Sequence, residues 1–169
     1  MKGFAPGLLD RLTAAPGTAD PGGAARLTVE QLKDSVARDL EALLNTRLAV
    51  PEQALAAYPQ ARHSILNYGL ADFAGLCLSS AADREAVCAS LKAAIEIHEP
   101  RLGEVSASLE PESGSVNRLH FVIAAKLLPH PSCEPVNFNA VLQPSSLRYS
   151  ISKGARPARA AEAASQQGR

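Results

Sequence analysis

Between Thr28 and Thr46 the apolar residues recur at helical spacing, with Val29, Leu32, Val36, Leu40, Leu43 and Leu44 on one stripe. The preceding "TVEQ" puts a hydroxyl at Thr28 and a carboxamide at Gln31, the pattern of a capping box, so the helix is expected to begin there and to end near Thr46, ahead of Pro51. On its polar side Asp34 and Arg38 stand four apart and are expected to pair, which helps a helix by only a few tenths of a kcal/mol. A second stripe, Val87, Leu91, Ala94 and Ile95, predicts a helix that starts after Ser80 with Asp83 in its first turn. Pro100 stops it, because the residue before a proline is pushed out of the helical region. Between the two, "SILNYGLADFAGL" (64–76) predicts short turns closed in the left-handed conformation at Gly69 and Gly75.

After Gly103 the period becomes two. Val105, Ala107 and Leu109 form one alternating set, Leu119 to Leu127 a second, Val136, Phe138, Ala140 and Leu142 a third, and Leu147, Tyr149 and Ile151 a fourth. "EPESGS" and "QPSS" read as turns between strands. Helices followed by a run of strands predict an α+β fold, two main helices packed on one face of a small antiparallel, mostly meander sheet of about four strands. In a meander the strand at Val105–Leu109 or the one at Leu147–Ile151 is left at an edge, and such an edge is open to a partner strand. The expected organisation is a short amphipathic segment over residues 1–13 and a Pro/Gly/Ala-rich linker over 14–26. The α+β body spans 27–152, and a tail from Lys153 to the end has almost nothing to bury. The amphipathic patch, Phe4, Leu8, Leu9 and Leu12, is too short to fold alone and gains order only by docking on its own domain or on a partner.

Composition narrows the chemistry. Among 169 residues, 17 Lys plus Arg balance 17 Asp plus Glu, so no long-range attraction to nucleic acid or an anionic membrane is expected. The N-terminal apolar stretch is broken by Pro6 and Gly7 and followed by Asp10 and Arg11, unlike an export signal or a membrane span, which points to the cytoplasm. Cys77, Cys88 and Cys133 form no CxxC pair, which fits a reduced compartment, and His130 with Cys133 is at most half of a zinc site. No cofactor is implied. Asp39, Glu41 and Glu99 are carboxylates to be weighed for a hydrolase, but an arginine two residues from Glu99 would lower its pKa, the wrong direction for a general acid. With no Trp, a sugar-stacking groove is poorly supplied. His98 reads either as a base or as a histidine favoured by the helix dipole.

The junction "HEPRL" (98–102) places an acid, a helix breaker and a base between apolar neighbours. Pro100 fixes the backbone and Arg101 offers a planar fork of donors. Glu99 either holds that fork, caps a partner's helix, or forms with Arg101 an internal pair that closes the domain.

Five stretches in order, "SVARDLEALLNTR" (35–47), "SILNYGLADFAGL" (64–76), "HEPRL" (98–102), "LHFVIAAKL" (119–127) and "EPVNF" (134–138), together with "FAPGLLDRL" (4–12), resemble the TssE family. These are baseplate subunits of bacterial type VI secretion systems, within the phage baseplate wedge proteins once labelled lysozyme-like. Ala42 and Ala71 depart from it, where relatives often carry Trp and Pro, and so does Asn139. The resemblance implies a structural role in a contractile injection machine, docked at the inner-membrane complex but not inserted in the membrane. It implies contacts with the wedge subunits TssF, TssG and TssK and with the sheath subunits TssB and TssC. Glu99, Pro100 and Arg101 match the family's hallmark triplet, linked in relatives to contact with the wedge's helical core bundle, and Arg47 and Tyr149 are further expected partner-binding residues. The sheath's terminal arm is expected to pair with a free strand edge and so to template the first sheath ring. The alternative is a peptidoglycan-cleaving, lysozyme-like hydrolase.

Overall fold

In the computed structural model of the chain, residues 4–7, 10–11, 26–73, 75, 80–110, 119–128, 133–143 and 145–154 are described. Helix α1 spans Val29–Asn45 and opens on the expected capping box. The Thr28 amide donates to Gln31 Oε1 (2.8 Å) and the Gln31 amide to Thr28 Oγ1 (3.2 Å), a cap that contributes about 1 kcal/mol. A single helical turn, α2 (Glu52–Leu55), and two 3-10 turns, Pro59–His63 and Ile65–Asn67, lead to α3 (Ala81–His98). Ser80 caps α3 by accepting from the Asp83 amide.

Strands β1 (Leu102–Glu110), β2 (Leu119–Leu127), β3 (Glu134–Gln143) and β4 (Arg148–Lys153) form an antiparallel meander in the order β1-β2-β3-β4. The fold is α+β. The odd-numbered residues of β2 and the even-numbered residues of β3 are buried against the stripes of α1 and α3. Phe121, Ile123, Phe138, Leu40, Leu44, Leu91 and Ile95 sit at the centre of that single core. The helices therefore lie on one face of the sheet, and the opposite face carries Ser106, Asn139 and Ser150 in solvent. One irregularity interrupts the ladder, a bulge between Gly103 and Ser106, where Glu104 adopts φ 50° and its carboxylate is held by Lys126 at 2.6 Å.

Several expectations need correcting. Asp34 and Arg38 do not pair with each other; Asp34 binds Lys153 (2.7 Å) at the end of β4, and Arg38 binds Asp10. Tertiary partners outcompete a helix-surface pair that stabilises so little. Leu147 is not in the last strand. It lies in the β3–β4 turn with φ 52°, exposed, and its match to the alternation is a coincidence of spacing. Gly69 has the expected positive φ (123°), whereas Gly75 does not. Lys153, expected to begin the tail, completes β4, and the Gly154 amide extends the pairing to Asn137 O (2.8 Å). The "EPESGS" turn beyond Glu110, Cys77, His130 and the tail beyond 154 lie outside the described residues.

Candidate functional site

The junction after α3 is wound tightly. The Glu99 amide closes the helix on Ile95 O (2.8 Å), and the Leu102 amide returns to Glu99 O (3.0 Å), so the chain turns over exposed Pro100 directly into β1. That turn puts the side chains of Glu99 and Arg101 together. Glu99 is 4 % exposed. Arg101 Nε donates to Glu99 Oε1 (2.6 Å) and a terminal guanidinium nitrogen to Glu99 Oε2, a two-point grip. The same nitrogen donates to Asp39 Oδ2 (2.5 Å), and the other terminal nitrogen to Ser35 Oγ (3.2 Å). Ser35 and Asp39 are one turn apart on α1, so the triplet locks the end of α3 to the middle of α1. The Glu99 hydrogen bond, against the opposing effect of burial and with Asp39 adding to it, raises the Arg101 pKa, so the brace is a fixed positive charge with its counter-ions attached.

Sequence reasoning missed two members of this cluster. Ser35 was visible as a polar residue within the apolar side of α1, and it is 3 % exposed. Its hydroxyl donates to Asp10 Oδ2 (2.8 Å), and Asp10 also accepts from Arg38 and from the Gly7 amide (3.2 Å). The described part of the N-terminal segment is further fixed by two backbone bonds between Phe4 and Leu27 (2.9 and 2.8 Å), so at Phe4 and Asp10 it docks on its own chain. Leu8, Leu9, Leu12 and the linker over 14–25 lie outside the described residues.

Burial alone would raise the Asp10 pKa, but the Ser35 hydroxyl, the Gly7 amide, Arg38 and Arg101 outweigh it and hold the carboxyl below its ordinary value of 3.8. A lowered carboxylate pKa stabilises the folded form above the unfolded value, and that contribution is lost as pH falls through the folded value. Amide exchange protection at Phe4 and Leu27 is therefore expected to be full at neutral pH and to fall below about pH 4. Asp10→Asn should show the weaker protection already at neutral pH; protection equal to wild type would mean that the carboxylate does not hold the segment.

Beside the brace lies a cleft of about 360 Å³, floored by Leu40, Leu43 and Tyr68 and rimmed by Asp10, Asp39, His98, Pro100 and Arg101. His98 Nε2 lies 2.8 Å from Asn67 O, and its ring packs edge-on against Tyr68 at 5.3 Å. It ties the 3-10 turn to α3, as a helix-terminal structural histidine does. Burial, with Asp39 and Glu99 nearby, raises the Tyr68 pKa. The three carboxylates weighed for a hydrolase are all engaged as acceptors: Asp39 and Glu99 by Arg101, and Glu41 by the Ile151 amide (3.0 Å).

The other two expected site residues sit together elsewhere. Arg47 is exposed just past α1 and donates to Leu147 O (3.0 Å) in the β3–β4 turn. Tyr149 has its ring in the core at 3 % exposure, packed near Phe121, and burial pushes its phenol up to about 12. Its backbone is bound to Asn45. Among the described residues no group of His, Cys, Asp and Glu side chains is placed to hold a metal ion, and no helix is long and apolar enough to cross a membrane.

Compared with known proteins, residues 30–132 match the family model described as baseplate wedge protein gp25. No curated protein and no solved structure matches the chain.

Proposed function

Because the chain belongs to the baseplate wedge protein gp25 family, we propose that it is the TssE-type subunit of a type VI secretion baseplate. In this reading it docks in the wedge with TssF, TssG and TssK and templates the first ring of the TssB–TssC sheath. The family role is structural, in a phage-like baseplate and in contact with other baseplate and tail components. The role is non-catalytic and cytoplasmic in this proposal. The observation that supports it is the geometry at the triplet: the chain uses a charge cluster centred on buried Glu99, with Arg101 and Asp39 partly exposed, to fix an exposed proline at the rim of an apolar-floored cleft. Desolvated charges cost stability unless fully paired, so such a cluster is better suited to specifying a shape than to strengthening a core. Glu99 and Arg101 act as the frame, Pro100 and the cleft floor as the contact, and Arg47 as an exposed cation at the neighbouring end of α1.

Arg101→Ala would disturb frame and contact together, so the discriminating variant lies on the rim. Ala42 is exposed and lines the same cleft. Ala42→Glu is expected to leave stability within about 0.5 kcal/mol, as surface substitutions do, yet to abolish co-purification of the wedge subunits. Unchanged capture by this variant would remove the cleft from the interface. Release of soluble fragments from purified peptidoglycan by the wild-type chain would support the hydrolase instead.

A further inference from the structure

The two outer edges of the sheet are chemically unequal. In an antiparallel ladder each residue turns both of its main-chain groups to one side, and successive residues alternate. On β4 the outward residues are Tyr149 and Ile151, and both are occupied by α1. Asn45 Nδ2 donates to Tyr149 O (2.8 Å), the Tyr149 amide donates to Asn45 Oδ1 (2.9 Å), and the Ile151 amide donates to Glu41 Oε2 (3.0 Å). The side-chain amide of Asn45 reproduces the donor and acceptor that a residue of an added strand would present. Glu41 and Asn45 are one helical turn apart, so the helix covers this edge with two successive side chains.

The register carries the alternation across to the other edge. With Tyr149 facing out, the bonded pair on β3–β4 is Val141 with Ser150; Ala140 then faces Phe121, and Val122 faces Ser108. Ala107 and Leu109 therefore face outward, and the same alternation counted back from Ser106 turns Val105, the last residue of the bulge, outward as well. The backbone at Leu109 makes a hydrogen bond with the Cys88 thiol of α3. Among the described residues, nothing bonds the outward groups of Val105 and Ala107. An open ladder of this kind is completed by an extended main chain. Its side chains on the helix side would lie beside Cys88, which favours small or apolar residues there. Exposed Glu110 favours a basic residue opposite it. A second copy of the chain fits poorly, since pairing symmetrically about Ala107 sets Glu110 of each copy opposite Glu104 of the other.

We propose that strand addition to this protein is one-sided: an extended segment of a partner chain joins the sheet at β1, while Asn45 and Glu41 plug the β4 edge. This rests on the templating role proposed above and supplies the edge at which it acts. The test is amide hydrogen exchange on the full chain, alone and with its co-expressed sheath pair. Alone, the Tyr149 and Ile151 amides should be protected and those of Val105 and Ala107 should exchange freely. With the sheath pair, Val105 and Ala107 should slow by about tenfold or more, with β4 unchanged.

A second arm uses Ala107→Pro, which removes an outward N–H and no bond to β2, and should weaken sheath capture about tenfold or more while wedge capture persists. Slowing at Tyr149 and Ile151 instead would overturn the edge assignment and keep the templating role. Binding of the pair with no slowing at either edge would overturn strand addition altogether. Failure of wild type to bind the pair would remove the templating reading itself. Slowing of β1 that depends on the chain's own concentration, without the pair, would identify a second copy as the occupant and overturn the proposal.

Discussion

Glu99→Ala is expected to lower the unfolding free energy by about 3 kcal/mol, at the lower end of the loss seen when one member of a buried ion pair is removed. The midpoint of thermal unfolding should fall by about 6–12 °C for a chain of this size. The reason is what the substitution leaves behind. Glu99 is almost fully enclosed and takes both the Nε and a terminal nitrogen of Arg101. Without it the guanidinium, still only 22 % exposed, keeps only Asp39 and the Ser35 hydroxyl as its partners. Asp39 is half-exposed and holds part of the charge, so the loss stays near 3 rather than 5 kcal/mol. If orphaned charge is the cause, removing it should restore stability, since apolar replacement of both partners of a buried pair is often neutral. Glu99→Leu with Arg101→Met should therefore unfold at a higher temperature than Glu99→Ala alone, while losing wedge capture if the frame orients Pro100. A Glu99→Ala midpoint within about 2 °C of wild type would instead mean that the pair carries under 1 kcal/mol. The triplet would then be a contact surface and not a brace.

How much of this was legible in the sequence depended on whether the signal was local. The starts of α1 and α3 were readable because a cap and its stripe lie within a few residues: Thr28 with Gln31, and Ser80 with Asp83. The alternation of β2 and β3 was equally plain, and a similar alternation at Tyr149 and Ile151 marked β4, with Leu147 wrongly included, although the family match stops at residue 132. Alternation also left β1 and β4 as the two possible edges. Which edge is open was not readable, because it depends on how α1 is registered over β4, and nothing near Glu41 or Asn45 in the chain encodes the distance to Ile151 or Tyr149. The same limit explains the site. Glu99, Pro100 and Arg101 stood out together because they are adjacent. Asp39, considered first as a catalytic candidate, proved to be a partner of Arg101 across 62 residues, and Asp10 reaches the cluster only because the N-terminal segment folds back. Tyr149 shows the converse: placed correctly in a strand at an edge, it contributes a buried ring and an edge already occupied.

Gly69→Ala is expected to cost about 3 kcal/mol or more, from two sources that add. Its φ of 123° lies where an L side chain is strained, and a Cβ there would stand 2.6 Å from Thr46 O. Backbone strain of this kind costs about 1–3 kcal/mol by itself. The carbonyl it would strike is also the acceptor that holds the segment in place, since the Leu70 amide donates to Thr46 O (2.9 Å) and the Leu48 amide to Leu70 O (2.9 Å). These bonds form a short parallel bridge between Arg47 and Leu70, and they seat Leu70 in the core with no exposure at all. Relief of the clash must lift Leu70 or lengthen the bridge, and either adds cavity or lost hydrogen-bond energy to the strain. The displacement should reach the cleft, because Tyr68 forms part of its floor and Asn67 O is the partner of His98. Calorimetry should therefore show a fall in melting midpoint of about 6–12 °C, accompanied by weaker capture of the wedge subunits by the folded variant at low temperature. Gly75→Ala is the matched control, with no atom of the described residues within 4 Å of the added carbon and no positive φ, and should change stability by no more than about 0.5 kcal/mol. Equal midpoints for the two variants would mean that the turn yields without disturbing Leu70. The bridge between Arg47 and Leu70 could then not be what holds the cleft wall against α1.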